Sequence, residues 1–168
     1  PGFGLVQGLS PIVGFNYGAK QYQRIRDVIL YATKIVVTYF ALGFVFVQIF
    51  ARYIFKLFSE TNDVFFIDYG SHTFRIISIG FIFVGFQIIV GAVYQALGYP
   101  IRALIISISR QFLIFIPVAL ILSSIYGLLG IWYTFAVSDI LSGLLGIGFL
   151  IYEIIVLNKI IAKEKSSS

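Results

Sequence analysis

The feature that most constrains this chain is one long apolar run. From Ile76 to Gly98 (IISIGFIFVGFQIIVGAVYQALG) there is no charged side chain. A helix rises about 1.5 Å per residue, so a ~30 Å hydrocarbon core takes about 20 residues. This run can cross it once. Three more stretches read the same way: Val28–Phe50, whose one charge is Lys34 near the basic end; Arg102–Ser123; and Gly130–Leu157. Only 11% of the 168 residues are charged and 60% are hydrophobic, where a soluble domain has roughly a quarter charged. A soluble enzyme, a nucleic-acid-binding domain and a disordered chain are all excluded on that ground.

The expected architecture is an all-α membrane protein with four full transmembrane helices, at 28–50, 70–98, 102–123 and 129–157, plus the end of a fifth. Residues 1–18 (PGFGLVQGLSPIVGFNYG) are apolar and too short to span alone, and read as the end of a truncated helix. With Pro1 first and no Met anywhere, the chain reads as the C-terminal fragment of a longer protein. Gly4 and Gly8, like Gly14 and Gly18, are four apart, a spacing that lets helices approach closely. Pro11 among them would bend the helix. ARYIFKLF reads as an interfacial turn, SETND as a loop with an N-cap, and Gly98-Tyr99-Pro100 as a helix stop.

Lysine and arginine orient the spans. With the first connection inside, the inner segments hold Lys20, Arg24, Arg26, Arg102, Lys159, Lys163 and Lys165. The outer ones hold Arg52 and Lys56, diluted by Glu60, Asp63 and Asp68. The tail 158–168 is then cytoplasmic. The net charge of +5 is thus a topology signal and not a nucleic-acid patch. With no Cys and a single His (His72), no disulfide, thiolate nucleophile or metal centre is expected. The lipid bilayer is the expected partner, and no cofactor is expected.

Polar groups at bilayer depth are costly and usually face protein or a cavity. Gln87 lies about 15 Å from the inner end of its span, at the midplane; Arg75 and His72 fall near the outer interface. Gly80, Gln87, Gly91, Tyr94, Gln95 and Gly98 form a small, polar stripe. Two readings stand side by side for it: a tight helix contact glued by an amide, or a cavity wall. Arg110 and Asp139, in consecutive spans, differ by only a few ångströms in height. They read as an ion pair that locks two helices, with a proton-coupled switch at Asp139 as the alternative. Thr134, Ser138, Ser142 and Gly146 make a second small-polar face. Glu153, near the inner end, meets water or Arg102. The 18 Phe and 11 Tyr suit lipid-facing and interfacial positions, and none can be assigned to a ligand.

Three stretches together carry a family resemblance. GFGLVQGLSPIVGFNYGAKQYQRIRDVI resembles the end of the eighth helix and the next loop of multidrug and toxic compound extrusion (MATE) transporters. FRIISIGFIFVGFQIIVGAVYQALG with YPIRA resembles their tenth helix, and ISISRQFLIFIPVALIL with YGLLGIWYTFAVSDIL their eleventh and twelfth. The resemblance implies a twelve-helix, two-lobe antiporter of the bacterial or archaeal plasma membrane. It would export drugs or cationic and amphipathic metabolites, its small organic substrates, in exchange for Na⁺ or H⁺. This chain would be most of the C-terminal lobe, with the N-terminal lobe as its missing partner. Alone it would be inactive and expose its inter-lobe face. Gln87, Gly91, Tyr94 and Gln95 would line the cavity.

The chain departs from the family pattern in three places. Ser123-Ser124 and Ala136 stand where prolines are frequent, and the neutral Gln87 stands where some branches carry an acidic coupling residue. The alternatives are a lipid-linked or polysaccharide flippase of the same broad fold, or a structural membrane subunit with no transport path.

Overall fold

The computed structural model describes residues 2–59 and 63–167. Pro1, Glu60, Thr61, Asn62 and Ser168 lie outside the described residues, and with them most of the SETND loop and the last position of the tail.

Helix α1 (Gly2–Gly18) runs through Pro11 and stops at a turn in which Lys20 takes φ +56°. There Gln21 N–H bonds Asn16 O at 2.9 Å and Lys20 N–H bonds Tyr17 O at 3.1 Å. This is the pair of reversed bonds that closes a helix C-terminus, with lysine in the place glycine usually takes. Helix α2 (Tyr22–Phe58) follows. It runs without a break from the basic connection, through the expected span 28–50, to the end of ARYIFKLF. At about 1.5 Å per residue its ends project well beyond the apolar stretch.

Asp63 starts α3 (Val64–Ser78), its carboxylate accepting from Phe65 N–H at 2.9 Å and Phe66 N–H at 3.4 Å. This is a side-chain cap of the kind that satisfies the orphan donors of a first turn. The span expected at 70–98 is two helices: α3 and α4 (Phe81–Ala96) meet at a 44° bend. Here Ile79 N–H bonds Ile76 O and Gly80 N–H bonds Ile77 O, three residues back and not four. The Arg75 carbonyl thereby loses its helical partner. Two side chains replace it: Gln48 Nε2 of α2 donates at 3.0 Å and Ser78 Oγ at 2.8 Å. Gln48 also donates to Ser78 Oγ at 3.0 Å.

Gly98, at φ +79°, closes α4: Tyr99 N–H bonds Tyr94 O at 2.8 Å and Gly98 N–H bonds Gln95 O at 3.2 Å. Pro100 then opens α5 (Pro100–Ile108), where its missing N–H costs nothing. A π-helical segment, Ser109–Phe115, joins α5 to α6 (Ile116–Tyr126). Pro117 cannot donate to the carbonyl four residues back and its ring pushes that carbonyl aside, which favours the wider turn before it. Gly127, at φ +59°, makes a one-residue corner into α7 (Leu128–Ser167). Gly130 packs so closely on the backbone of Leu122 and Ser123 that any side chain there would collide. Helix α7 continues well past 157 and takes the polar tail into the helix.

Up to four membrane crossings result: α2, the bent α3–α4 pair, α5 through α6, and α7. The core gathers on the C-terminal half of α4. Ile89, Val90, Val93 and Tyr94 pack there with Leu9 and Val13 of α1, Ile25 and Ile29 of α2, Ala103 of α5, and Leu150 and Leu157 of α7. Neither α6 nor the π-helical segment contributes a buried residue.

Candidate functional site

Helices α4 and α7 run parallel, and their register can be followed turn by turn. Gly80 lies on Asp139, Gly143 on the backbone of Phe83, Gly146 on Gln87, and Tyr94 reaches Phe149. A Cβ on Gly80 would come within 2.6 Å of Asp139 Cβ, and one on Gly146 within 3.6 Å of Gln87 Cα. The glycines of the two small-polar faces therefore meet each other's partners and draw two backbones together.

Inside this seam Gln87 is 9% exposed. Its Nε2 donates to Ser142 Oγ and, at 3.4 Å, to the Asp139 carbonyl oxygen. Ser142 Oγ in turn donates to the Ser138 carbonyl one turn back. The Asp139 side chain is 10% exposed, and its Oδ1 accepts from Arg110 Nη2 at 2.7 Å and Nε at 3.0 Å. Both bonds go to one oxygen; the other, Oδ2, faces Gly80. Arg110 belongs to the π-helical segment. One carboxylate thus ties the bend at Gly80 to the wide turn at Arg110. Thr134 Oγ1 donates to Gly130 O at 2.8 Å, while the buried Ser138 and Thr73 hydroxyls have no partner among the described residues.

The four cavity candidates divide into two pairs. Gln87 and Tyr94 point into the α4–α7 contact; Tyr94 is 1% exposed. Its hydroxyl lies against the Glu153 carboxyl group and, at 3.4 Å, the Phe149 carbonyl. Gly91 is half-buried, with nothing within 4 Å of where a Cβ would stand, and Gln95 is exposed. They share a helical face with the half-buried Val84 and Ile88, of which Ile88 reaches Gly2 of α1. Past the C-terminal end of α4 Arg102 stacks over Tyr99 at 4.5 Å and lies 5.8 Å from the Tyr94 ring, close enough to Glu153 to attract it. His72 and Arg75 are exposed.

The small-residue stripe on α1 mostly faces away from the other described helices. Gly4, Gly8, Pro11 and Gly18 are exposed, and a Cβ at any of these three glycines would meet nothing within 4 Å. Helix α1 packs instead through Gly2, Leu9, Val13 and Asn16. Of the expected set only Gly14 meets a neighbour, the Ala96 carbonyl of α4 at 3.5 Å. Toward the described helices leucine and valine fill the contact, and the glycine side of α1 is left open. Gln48, which repairs the bend, is a residue that motif reasoning missed. A lone amide in the apolar VFVQIF was the available signal.

Apolar helices of spanning length, close-packed glycines and a polar seam at bilayer depth define an integral membrane protein of the multi-helix class. The profile of the MatE family matches residues 1–121, more than half of the chain. The chain belongs to that family, whose members are membrane transporters and not enzymes. It is 26% identical over 140 residues to a FAD transporter of Shewanella oneidensis, which covers 83% of this chain and 30% of that protein. Its fold matches the MATE multidrug transporter DinF-BH, solved in complex with rhodamine 6G. The TM-score is 0.83 at 38% identity, over 90% of this chain and 34% of that one. The Vibrio cholerae MATE transporter VcmN in its bent form matches at 22% identity and TM-score 0.81, over 92% and 35%. The chain thus spans about a third of the length of these relatives.

Proposed function

We propose that this chain forms most of the C-terminal lobe of a secondary antiporter that exports amphipathic or cationic organic compounds in exchange for Na⁺ or H⁺. The carrying observation is the face of α4 formed by Val84, Ile88, Gly91 and Gln95. It is apolar and half-buried as far as Gly91, where nothing stands within 4 Å of a Cβ position, and ends in the exposed amide of Gln95. A flat, greasy solute gains contact on such a wall, and few polar groups suffice to orient it. In this reading Gly91 and Gln95 face substrate, while Gln87 and Tyr94 hold the wall to α7. The complex of DinF-BH with its rhodamine dye supports the class of solute, at 38% identity. Arg110–Asp139 is the brace of the wall and not the coupling site. The coupling carboxylate then lies in the other lobe.

The test is efflux of the same rhodamine dye from everted vesicles holding the full-length protein, under an imposed Na⁺ or H⁺ gradient. Uphill export with one of the two gradients is expected. Gly91→Leu should cut export about tenfold by filling the wall, at unchanged expression, the loss of one substrate-sized contact being worth about 1.4 kcal/mol. Gln87→Ala should impair export through lost rigidity. Absence of gradient-driven export of the dye and of FAD alike, the latter included because of the Shewanella relative, would defeat the proposal.

A further inference from the structure

Beside the inner end of the α4–α7 seam is a groove of about 420 Å³. Leu144, Leu145, Phe149 and Tyr152 of α7 wall it, and Gly148 leaves its middle open, with nothing within 4 Å of a Cβ position. From Tyr152 to Leu144 the groove runs eight residues along α7, about 12 Å, from the inner end toward the bilayer centre. Its inner end is closed by Arg102, with Tyr94 beneath.

The arginine is held in a definite place. Its guanidinium stacks on Tyr99 at 4.5 Å, and the buried Glu153 attracts it from the Tyr94 side. Stacking uses the face of the guanidinium and leaves its edge N–H groups to donate. Among the described residues no oxygen accepts a hydrogen bond from them. Seven residues beyond Tyr152, two helical turns on the same face, stands the exposed Lys159.

We infer that this groove binds an anionic phospholipid of the inner leaflet. The phosphate takes the edge of Arg102, and an acyl chain lies along Leu144, Leu145, Gly148 and Phe149. Three observations agree on this occupant. The cation sits where the loop chemistry places the headgroup layer, because Arg102 is on the side that carries the lysines and arginines. The walls become purely apolar in the direction of the acyl chains. A planar donor fork is the geometry that phosphate oxygens accept best, and basic pockets between spanning helices on the cytoplasmic side suit anionic headgroups. The site does not depend on what the protein exports.

Native mass spectrometry of the full-length protein, exchanged into detergent with phosphatidylglycerol and phosphatidylcholine of equal chain length, tests this. Wild type should retain phosphatidylglycerol at least fivefold over phosphatidylcholine. Arg102→Gln should bring that ratio within twofold of unity, and Arg102→Lys should keep part of it. Gly148→Leu, at an open position that folding tolerates, should reduce retention of the bound phosphatidylglycerol severalfold. Equal retention of the two lipids by wild type, or an unchanged ratio in Arg102→Gln, overturns the proposal. Displacement of the lipid by millimolar glycerol 3-phosphate marks a soluble-phosphate site instead and overturns the lipid assignment. Identical retention by wild type and Gly148→Leu means that another part of the protein fills the groove, and also overturns it.

Discussion

Two departures from regular helix flank one carboxylate, and they are built in opposite ways. At Ile79–Gly80 the backbone tightens to three-residue bonds; at Ser109–Phe115 it widens to a π-helix. The tight break is covered by protein on one side, with only Ile79 exposed between its buried neighbours. Ser78 and Gly80 are buried, and Gln48 reaches across from α2 to the freed Arg75 carbonyl. The wide break contributes no buried residue and is tied down through Arg110. In lipid an unpaired backbone group costs several kcal/mol. A covered break can therefore borrow side chains from neighbours. An uncovered one has to keep its carbonyls within its own segment, as i→i+5 bonds do.

The comparison can be broken at its shared point. Asp139→Leu leaves Arg110 unpaired at depth and should destabilise the protein by about 3 kcal/mol. Thermal unfolding of the purified protein in detergent reads this. Adding Arg110→Met should restore most of the loss; if the single variant melts like wild type, the pair does not hold the wide turn. Gly80→Ala acts on the tight break alone. Its new methyl would stand 2.6 Å from Asp139 Cβ, and forcing the seam apart should cost roughly 2 kcal/mol. Combining it with Asp139→Ala does not restore that part, because the contact is with Cβ itself.

Gln48→Leu removes one of two donors to the Arg75 carbonyl and should cost about 1 kcal/mol. Faster amide exchange at Ile79 and Gly80, with none at Ser109–Phe115, would show that the two breaks are independently supported. The smallest effect lies far from both. Lys20→Gly relieves a positive φ and should stabilise by roughly 0.5 kcal/mol, leaving exchange at either break unchanged.

Much of the frame is legible in the sequence because hydropathy and caps act locally. Gly98 before Tyr99-Pro100 announces a helix stop, and Asp63 before an apolar run announces a start. Arg110 and Asp139 could be set at similar heights by helix rise, because one wide turn in the span of Arg110 changes its rise only slightly. The bend at Gly80 could not be read, because ISIGFIF is as apolar as a straight span and what packs on the glycine, Asp139, is distant in sequence. The same holds for α1. A run with glycines on one side and leucine and valine on another offers two packing faces, and only the neighbouring helices choose. Within the small-polar stripe of α4, helical period groups Gln87 with Gly91, Tyr94 and Gln95. The position of α7 is what separates the braced side chains from the open ones.

The Arg110–Asp139 pair also sets a timetable. The two residues are separated by 29 positions, so at about 5–20 residues per second ribosomal synthesis delivers the arginine roughly 1.5–6 s before its carboxylate. During that interval the segment Pro100–Tyr126 carries an uncompensated cation, and its partition into lipid is weakened by the charge. Its stable entry is therefore coupled to the arrival of α7 through the one-residue corner at Gly127. One ion pair thus links the membrane insertion of two consecutive spans.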